Sequence, residues 1–449
     1  MKSNSITEGK ILPSLLGFAI PIFLTTLLQF LYGMVDMFVV SRFASTAEAS
    51  GVTTGSMIMT TFTYTVTGIA TGVTVLIGRK IGERDYNGAS RACAGSIVLF
   101  SAIALSLVVA IPLLAESLAR LMDAPKDAFD ATVSYIRITG LGSIFILFYN
   151  LLGGIFRGLG DSKTPLVTVS VAAVFNLIFD ILLVKSAGLG AAGAAIATVV
   201  AQALSVFASL LIIKRRKFGI SLTKEVFSNI SPSVFSILRL GLPVAVQNLL
   251  SSSSYVAIQA IINGLGLACS VAAGIGDKVG GILILAPAAY IQAISVFTAQ
   301  NLGAKKPERA KQGLLCGILT ALVFGITMNF VSIFFGDFLT SLFTTDAEVI
   351  RNGHLYIAGA YGFDCTLLSI LFCLVGYFNG HGKTSFSLIQ GIFGAYAVRI
   401  PYAFFARSLP NTNIFFIGLA APVSSFFQIL LCLGMFIYIE KHRKEENNE

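Results

Sequence analysis

Twelve apolar runs, each long enough to cross a lipid bilayer, divide this chain almost from end to end. They lie near 13–40, 50–77, 90–115, 131–154, 164–185, 190–213, 236–262, 272–299, 312–336, 353–378, 385–407 and 414–439. A hydrocarbon core about 30 Å thick needs roughly 20 apolar residues in a helix, and the longer runs suit tilted helices. Membrane strands would alternate in polarity over about ten residues, whereas these runs are apolar all round. Without water to satisfy backbone groups, helices are the remaining solution. Only 12% of residues are charged, about half the share of a soluble domain, and the mean hydropathy is +0.84. The expected fold is an all-α membrane protein with 12 transmembrane helices. The opening MKSNSITEGKILPSLL enters an apolar run longer than a signal-peptide core, without a small-residue cleavage site, and reads as an uncleaved tail leading into the first helix.

Orientation follows from Lys and Arg. With the N-terminus inside, the inner segments hold 22 of these residues and the outer ones 8, with Arg399 within the eleventh run. That asymmetry predicts a multi-pass protein of the cell (inner or plasma) membrane with both termini cytoplasmic. The net charge of +9 sits in short loops between apolar runs, so it orients the chain and nucleic acid is not an expected partner. The six cysteines, Cys93, Cys269, Cys316, Cys365, Cys373 and Cys432, fall in or beside apolar runs without CxxC or zinc-type spacing, and read as packing residues.

The chain repeats itself. GIFRGLGDSKT (154–164) is echoed by GYFNGHGKT (376–384), placing Gly154, Phe156, Gly158 and Gly160 on Gly376, Phe378, Gly380 and Gly382 at an offset of 222. TVLIGRKIGERDYNGA (74–89) is echoed by SVFTAQNLGAKKPERA (295–310) at 221, and Pro21 meets Pro243 at 222. Since the offset covers six runs, an even number, both copies share one topology. The domains expected are two pseudo-symmetric six-helix lobes, 1–220 and 221–449, related by an axis along the membrane normal, with a substrate cavity between them. The Gly-rich turns lack GxGxxG spacing and a preceding strand, so they do not read as nucleotide loops. With no nucleotide motif, nucleophile, metal cluster or cofactor constellation, the chain reads as a non-enzyme without cofactors, driven by an ion gradient.

Charges inside spans are costly and therefore few. The clearest are Asp36 in the first run and Asp180 in the fifth. Tyr32 precedes Asp36 by four residues and Asn176 precedes Asp180 by four, so each pair shares a helix face. Thr198 lies in the sixth run. Together they offer carboxylate, amide, hydroxyl and phenol oxygens, a set suited to a proton or to Na⁺, the candidate metal at Asp36, Asn176, Asp180 and Thr198. Two desolvated carboxylates brought together repel each other, so a proton or Na⁺ that neutralises them competes with a cationic cargo for one charge. The second half offers Gln247, Tyr255 and Gln259 as a polar stripe, and Asp364 and Arg399 as a candidate ion pair, all expected at a substrate cavity.

This pattern resembles the multidrug and toxic compound extrusion (MATE) family, in particular its DinF-type prokaryotic branch. The features carrying the resemblance are two six-helix halves, the early Asp36, the FNLIFD segment at 175–180 and the paired RGLGDSKT and NGHGKT turns. It covers essentially the whole chain. The family's first-lobe cation site falls on Tyr32, Asp36, Asn176, Asp180 and Thr198. The NorM-type branch carries acids in helices 7 and 10 where this chain has Ser251 and Leu368, with Asp364 one turn from the latter. The resemblance therefore implies coupling through the first lobe. It implies a monomeric secondary transporter among membrane lipids, exporting cationic amphiphiles in exchange for H⁺ or Na⁺ by alternating access. The alternative is a lipid-linked oligosaccharide flippase of the wider superfamily, which requires a basic cavity for a pyrophosphate.

Overall fold

The computed structural model describes residues 6–216, 218–410 and 412–446. Lys2 and Lys217, counted above for orientation, lie outside the described residues, as does the tail up to residue 5. Among the described residues every regular element is helical. The spans are α1 Ile11–Phe43, α2 Thr46–Gly82, α3 Tyr86–Leu121, α4 Lys126–Leu141 with Ser143–Gly158, α5 Lys163–Ser186 and α6 Gly190–Arg215, then α7 Ser231–Asn263, α8 Leu267–Leu283 with Leu285–Gly303, α9 Pro307–Phe334, α10 Ala347–Gly380, α11 Thr384–Ser408 and α12 Ile414–Arg443. Each overlaps one expected run.

Two spans are bent where the sequence weakens the helix. In α4 the 54° bend falls at Gly142, a poor helix former. In α8 the 44° bend falls at Ile284. There Pro287 supplies no N–H for the carbonyl of Leu283, four residues before it. By contrast, Pro21 and Pro243 lie inside the continuous helices α1 and α7, and the Thr25 hydroxyl donates to the Pro21 carbonyl at 2.7 Å. Helix starts carry the expected acceptors. Ser45, Asp85, Asp346 and Asn413 each take a backbone N–H from the first turn that follows.

The chain divides into two compact units, one built on Leu16–Ala245 with Ala299–Lys305, the other on Val246–Thr298 and the chain from Lys306 onward. The sequence repeat divides near residue 220, but by packing the first half of α7 joins the first unit. Gly68 and Gly72 of α2 leave room there for the backbone of Ala245, Ile237 and Gly241.

The repeat is explained by how each unit packs. In the first unit α4 crosses α2 at two glycines: a Cβ on Gly154 would meet Ala70 and Thr74, and one on Gly158 would meet Thr74 and Ile77. In the second unit a Cβ on Gly376 would meet Ile291 and Ile294, and one on Gly380 would meet Ser295 and Thr298. These are the same positions carried forward, so the glycines recur because one close helix crossing recurs. The turns that follow close alike. Gly160 and Gly382 take left-handed φ of 84° and 76°, and the N–H groups of Asp161 and Lys383 donate to the carbonyls of Phe156 and Phe378 at 2.9 Å, the bond that ends a helix on a glycine.

Candidate cation site in the first unit

Four helices of the first unit meet at the acids. α1 carries Tyr32 and Asp36, α5 carries Asn176 and Asp180, α6 carries Thr198 and Gln202, and α4 carries Tyr135. On α1, α5 and α6 the paired residues are four apart, which turns both toward one place. Asp180 and Asn176 are fully buried, at 0% and 2% exposure. The Asp36 carboxylate faces Asp180, Asn176 and Thr198, and the Thr198 hydroxyl donates to its Oδ2 at 3.2 Å. Tyr32 lies beside Asp36 and Gln202. Tyr135 lies beside Asp36, Asp180, Tyr32 and Thr198.

The hydrogen-bond inventory is lopsided. Asp36 Oδ1, both oxygens of Asp180, both polar atoms of Asn176 and Gln202 Oε1 are buried without a protein partner. Five of these six atoms are acceptors. Buried polar groups are normally satisfied, so a surplus of acceptors marks a place where a proton or cation completes the set. Two carboxylates, an amide oxygen and a hydroxyl are donors fit for Na⁺. The same geometry also lets one proton be shared between Asp36 and Asp180. After α5 passes Asp180 it continues as a π-helical segment, Ile181–Ser186, a distortion that recurs at functional sites.

All five residues expected here, Tyr32, Asp36, Asn176, Asp180 and Thr198, are brought together. Sequence reasoning missed Gln202 and Tyr135. Gln202 carried a usable signal, its place four residues after Thr198, whereas Tyr135 enters only through the fold. Deeper in the same unit Gln29 donates to the Tyr149 hydroxyl at 2.7 Å, a polar contact also absent from the reading of the sequence.

In the second unit the five expected cavity residues separate. Tyr255, Asp364 and Arg399 line one cleft together with Tyr356 and Tyr361. Asp364 and Arg399 are nearly buried and share that cleft without forming an ion pair. Gln259 lies elsewhere, donating to Asn263 Oδ1 at 2.8 Å and to the Ser270 carbonyl at 3.3 Å. Gln247 sits against Gly391. Asp277 accepts from the hydroxyls of Tyr356 and Tyr361 at 2.9 and 3.3 Å.

Comparison with known proteins follows the same division. The profile of the MatE family matches the chain twice, over residues 21–182 and 243–405, beginning at the two prolines of the repeat. The chain is 24% identical over 457 residues to a probable multidrug resistance protein YoeA of Bacillus subtilis (strain 168), covering 98% of this chain and 97% of the relative. It is 27% identical over 443 residues to a FAD transporter of Shewanella oneidensis, covering 94% and 91%. Its fold is that of an outward-facing multidrug resistance MATE family transporter, with a TM-score of 0.92 at 21% identity over 99% of both chains. A MOP superfamily transporter from Pyrococcus furiosus superposes with a TM-score of 0.92 at 20% identity over 98% of both chains. Matched twice by the family profile in register with its own repeat, and folded as the family folds, this multi-pass membrane protein belongs to the MatE family of multidrug efflux transporters and is not an enzyme.

Proposed function

We propose that the chain is a secondary antiporter that exports organic cations, chiefly cationic amphiphiles, in exchange for H⁺ or Na⁺. The observation that carries this reading is the meeting of Asp36 with Asp180 among acceptors that the protein leaves unsatisfied. A site of that kind binds positive charge from either of two sources, and exclusive occupancy is the simplest physical basis of exchange. Entry of H⁺ or Na⁺ neutralises the acids and lowers their hold on a cationic cargo. Export of the cargo leaves them ready for the next ion. The same reading places both termini in the cytoplasm and takes the transporter to act as a monomer.

The test is efflux of a fluorescent organic cation from proteoliposomes holding the full chain, with a pH gradient and a Na⁺ gradient imposed separately. Antiport requires that at least one gradient drives dye against its own concentration and that the rate saturates with dye. Dye movement that only follows its own gradient and never saturates would describe a channel and defeat the proposal.

A further inference from the structure

In the first unit the exposed face of α3 changes character along its length. Leu105, Val109 and Leu113, each four residues from the next and so in line, are 64%, 59% and 78% exposed. On a membrane span such a face is covered by acyl chains, since hydrocarbon is its solvent. One turn further on, the same face carries Glu116 and then Arg120, which marks the depth at which lipid headgroups begin. α4 makes the same change, with Leu141 59% exposed and Arg137 one turn before it.

At that depth a groove of about 370 Å³ opens between the two helices, with Glu116 of α3 on one side and Phe129, Asp130, Ser134 and Arg137 of α4 on the other. Its volume is that of roughly ten waters. Asp130, Ser134 and Arg137 are four and three residues apart, so they form one line on α4. Arg137 lies nearest the hydrocarbon, and Asp130, about 10 Å back along the helix axis, lies nearest the water. Arg137 Nη2 donates to Glu116 Oε1 at 2.7 Å, which occupies one arm of the guanidinium fork. The Asp130 carboxylate and the Ser134 hydroxyl have no hydrogen-bond or ion-pair partner among the described residues. The Phe129 ring is already taken, because the Arg120 guanidinium lies 5.9 Å from its centre. Arg120 also approaches Glu116 at 3.9 Å.

We propose that this groove binds the headgroup of an ethanolamine phospholipid, a phosphate bearing a primary amine, whose acyl chains run along Leu113 and Leu141. The order of the groups selects the class. From hydrocarbon to water such a lipid presents acyl carbon, phosphate and then ammonium. In the same direction the groove presents leucine, guanidinium and then carboxylate. The remaining N–H groups of Arg137 fit phosphate oxygens, and Asp130 accepts from the ammonium. A choline headgroup fits less well. Its quaternary ammonium has no N–H to give Asp130, and it is recognised on open aromatic faces, whereas Phe129 is covered by Arg120. Anionic headgroups are drawn to clusters of Lys and Arg, whereas this lining sets two acids against one base. The inference concerns a lipid partner and stands apart from the efflux reading.

The experiment is native mass spectrometry of the full chain in detergent, titrated with phosphatidylethanolamine, phosphatidylcholine and phosphatidylglycerol of identical acyl chains. The first adduct of wild type with the ethanolamine lipid is expected to be about tenfold tighter than with either other lipid, the worth of one charge-assisted bond. Asp130→Asn should bring the ethanolamine lipid to within about twofold of the choline lipid and leave the choline lipid unchanged. Arg137→Gln should weaken both, because both carry the phosphate. Ser134→Leu, which fills the groove, should also weaken both, and it serves if the Asn variant does not assemble. Melting curves in the same detergent report folding, and the ethanolamine lipid should raise Tm more in wild type than in Asp130→Asn. Equal affinity of wild type for the three lipids overturns the proposal. A preference for the glycerol lipid overturns it as well, since the groove would then select negative charge. So does an ethanolamine preference that survives both Asp130→Asn and Ser134→Leu, because the lipid then sits elsewhere. Efflux enters none of these readouts, so the efflux reading stands or falls separately.

Discussion

A carboxylate inside a membrane helix must meet a proton, a cation or a donor, because the surrounding hydrocarbon supplies none. Asp36 meets one donor, the Thr198 hydroxyl, and Asp180 meets none from the protein. Asp36→Asn and Asp180→Asn are each expected to cut gradient-driven efflux at least about tenfold, while thermal unfolding in detergent shows the protein still folded. Retained efflux in both would remove the site from the mechanism. Protons and cargo compete for the same oxygens, so equilibrium binding of a permanently charged dye should weaken as pH falls. Fluorescence polarisation across a pH series checks this, and the dependence should flatten in Asp180→Asn. Asp36 and Asp180 were legible because charge is scarce in apolar runs, and Tyr32 and Asn176 because four-residue spacing fixes a helix face, whereas Thr198 rested on its hydroxyl within the sixth run and on the family resemblance. Tyr135 was not legible, since its contacts come from a different helix and span a long stretch of chain. Gln247 and Gln259 read like cavity residues for the same compositional reason as Tyr255, but each is turned to a different neighbour.

At the scale of helices, packing is decided by where backbone can approach backbone. A Cβ on Gly380 would stand 2.5 Å from Thr298 Cβ and 2.6 Å from the Ser295 carbonyl. Gly380→Ala should therefore destabilise the protein by about 1–3 kcal/mol through overpacking. Gly434, in α12, has open space where a Cβ would go, and Gly434→Ala should be neutral or slightly stabilising. Melting curves of the two variants side by side test the difference, and equal shifts would contradict the crossing described here. The first turn of the repeat has a device that the second lacks. Asp161 accepts from the N–H groups of Lys163 and Thr164 at 3.0 and 2.9 Å, and from the Thr164 hydroxyl. The second turn is two residues shorter there and has Lys383 in place of the acid. Asp161→Ala should cost about 1 kcal/mol, as the loss of a helix cap does, visible in the same melting assay. The span boundaries were readable from hydropathy alone. The π-helical segments of α5 and α11 were not, because one extra residue in a helical turn leaves no mark in an apolar run.

For the whole molecule, the even number of spans and the skew of Lys and Arg make a checkable statement about sidedness. With the six native cysteines replaced, a single cysteine placed near either terminus should react with an impermeant thiol reagent only after the inner face is opened. Labelling of intact cells at either terminus would reverse the assignment. The sequence by itself determined the solvent, the number of spans, the duplication and the residues that bear charge within the membrane. These follow from composition and periodicity, which depend on each residue's own transfer energy and its near neighbours. Only the tertiary structure decided which of those residues share a site. It closed the acids of α1 and α5 with Gln202 and Tyr135, and it set Arg399 and Asp364 on one cleft without pairing them. Such choices depend on the relative placement of helices far apart in the chain, fixed by side-chain volume and close glycine crossings. No local pattern encodes that placement.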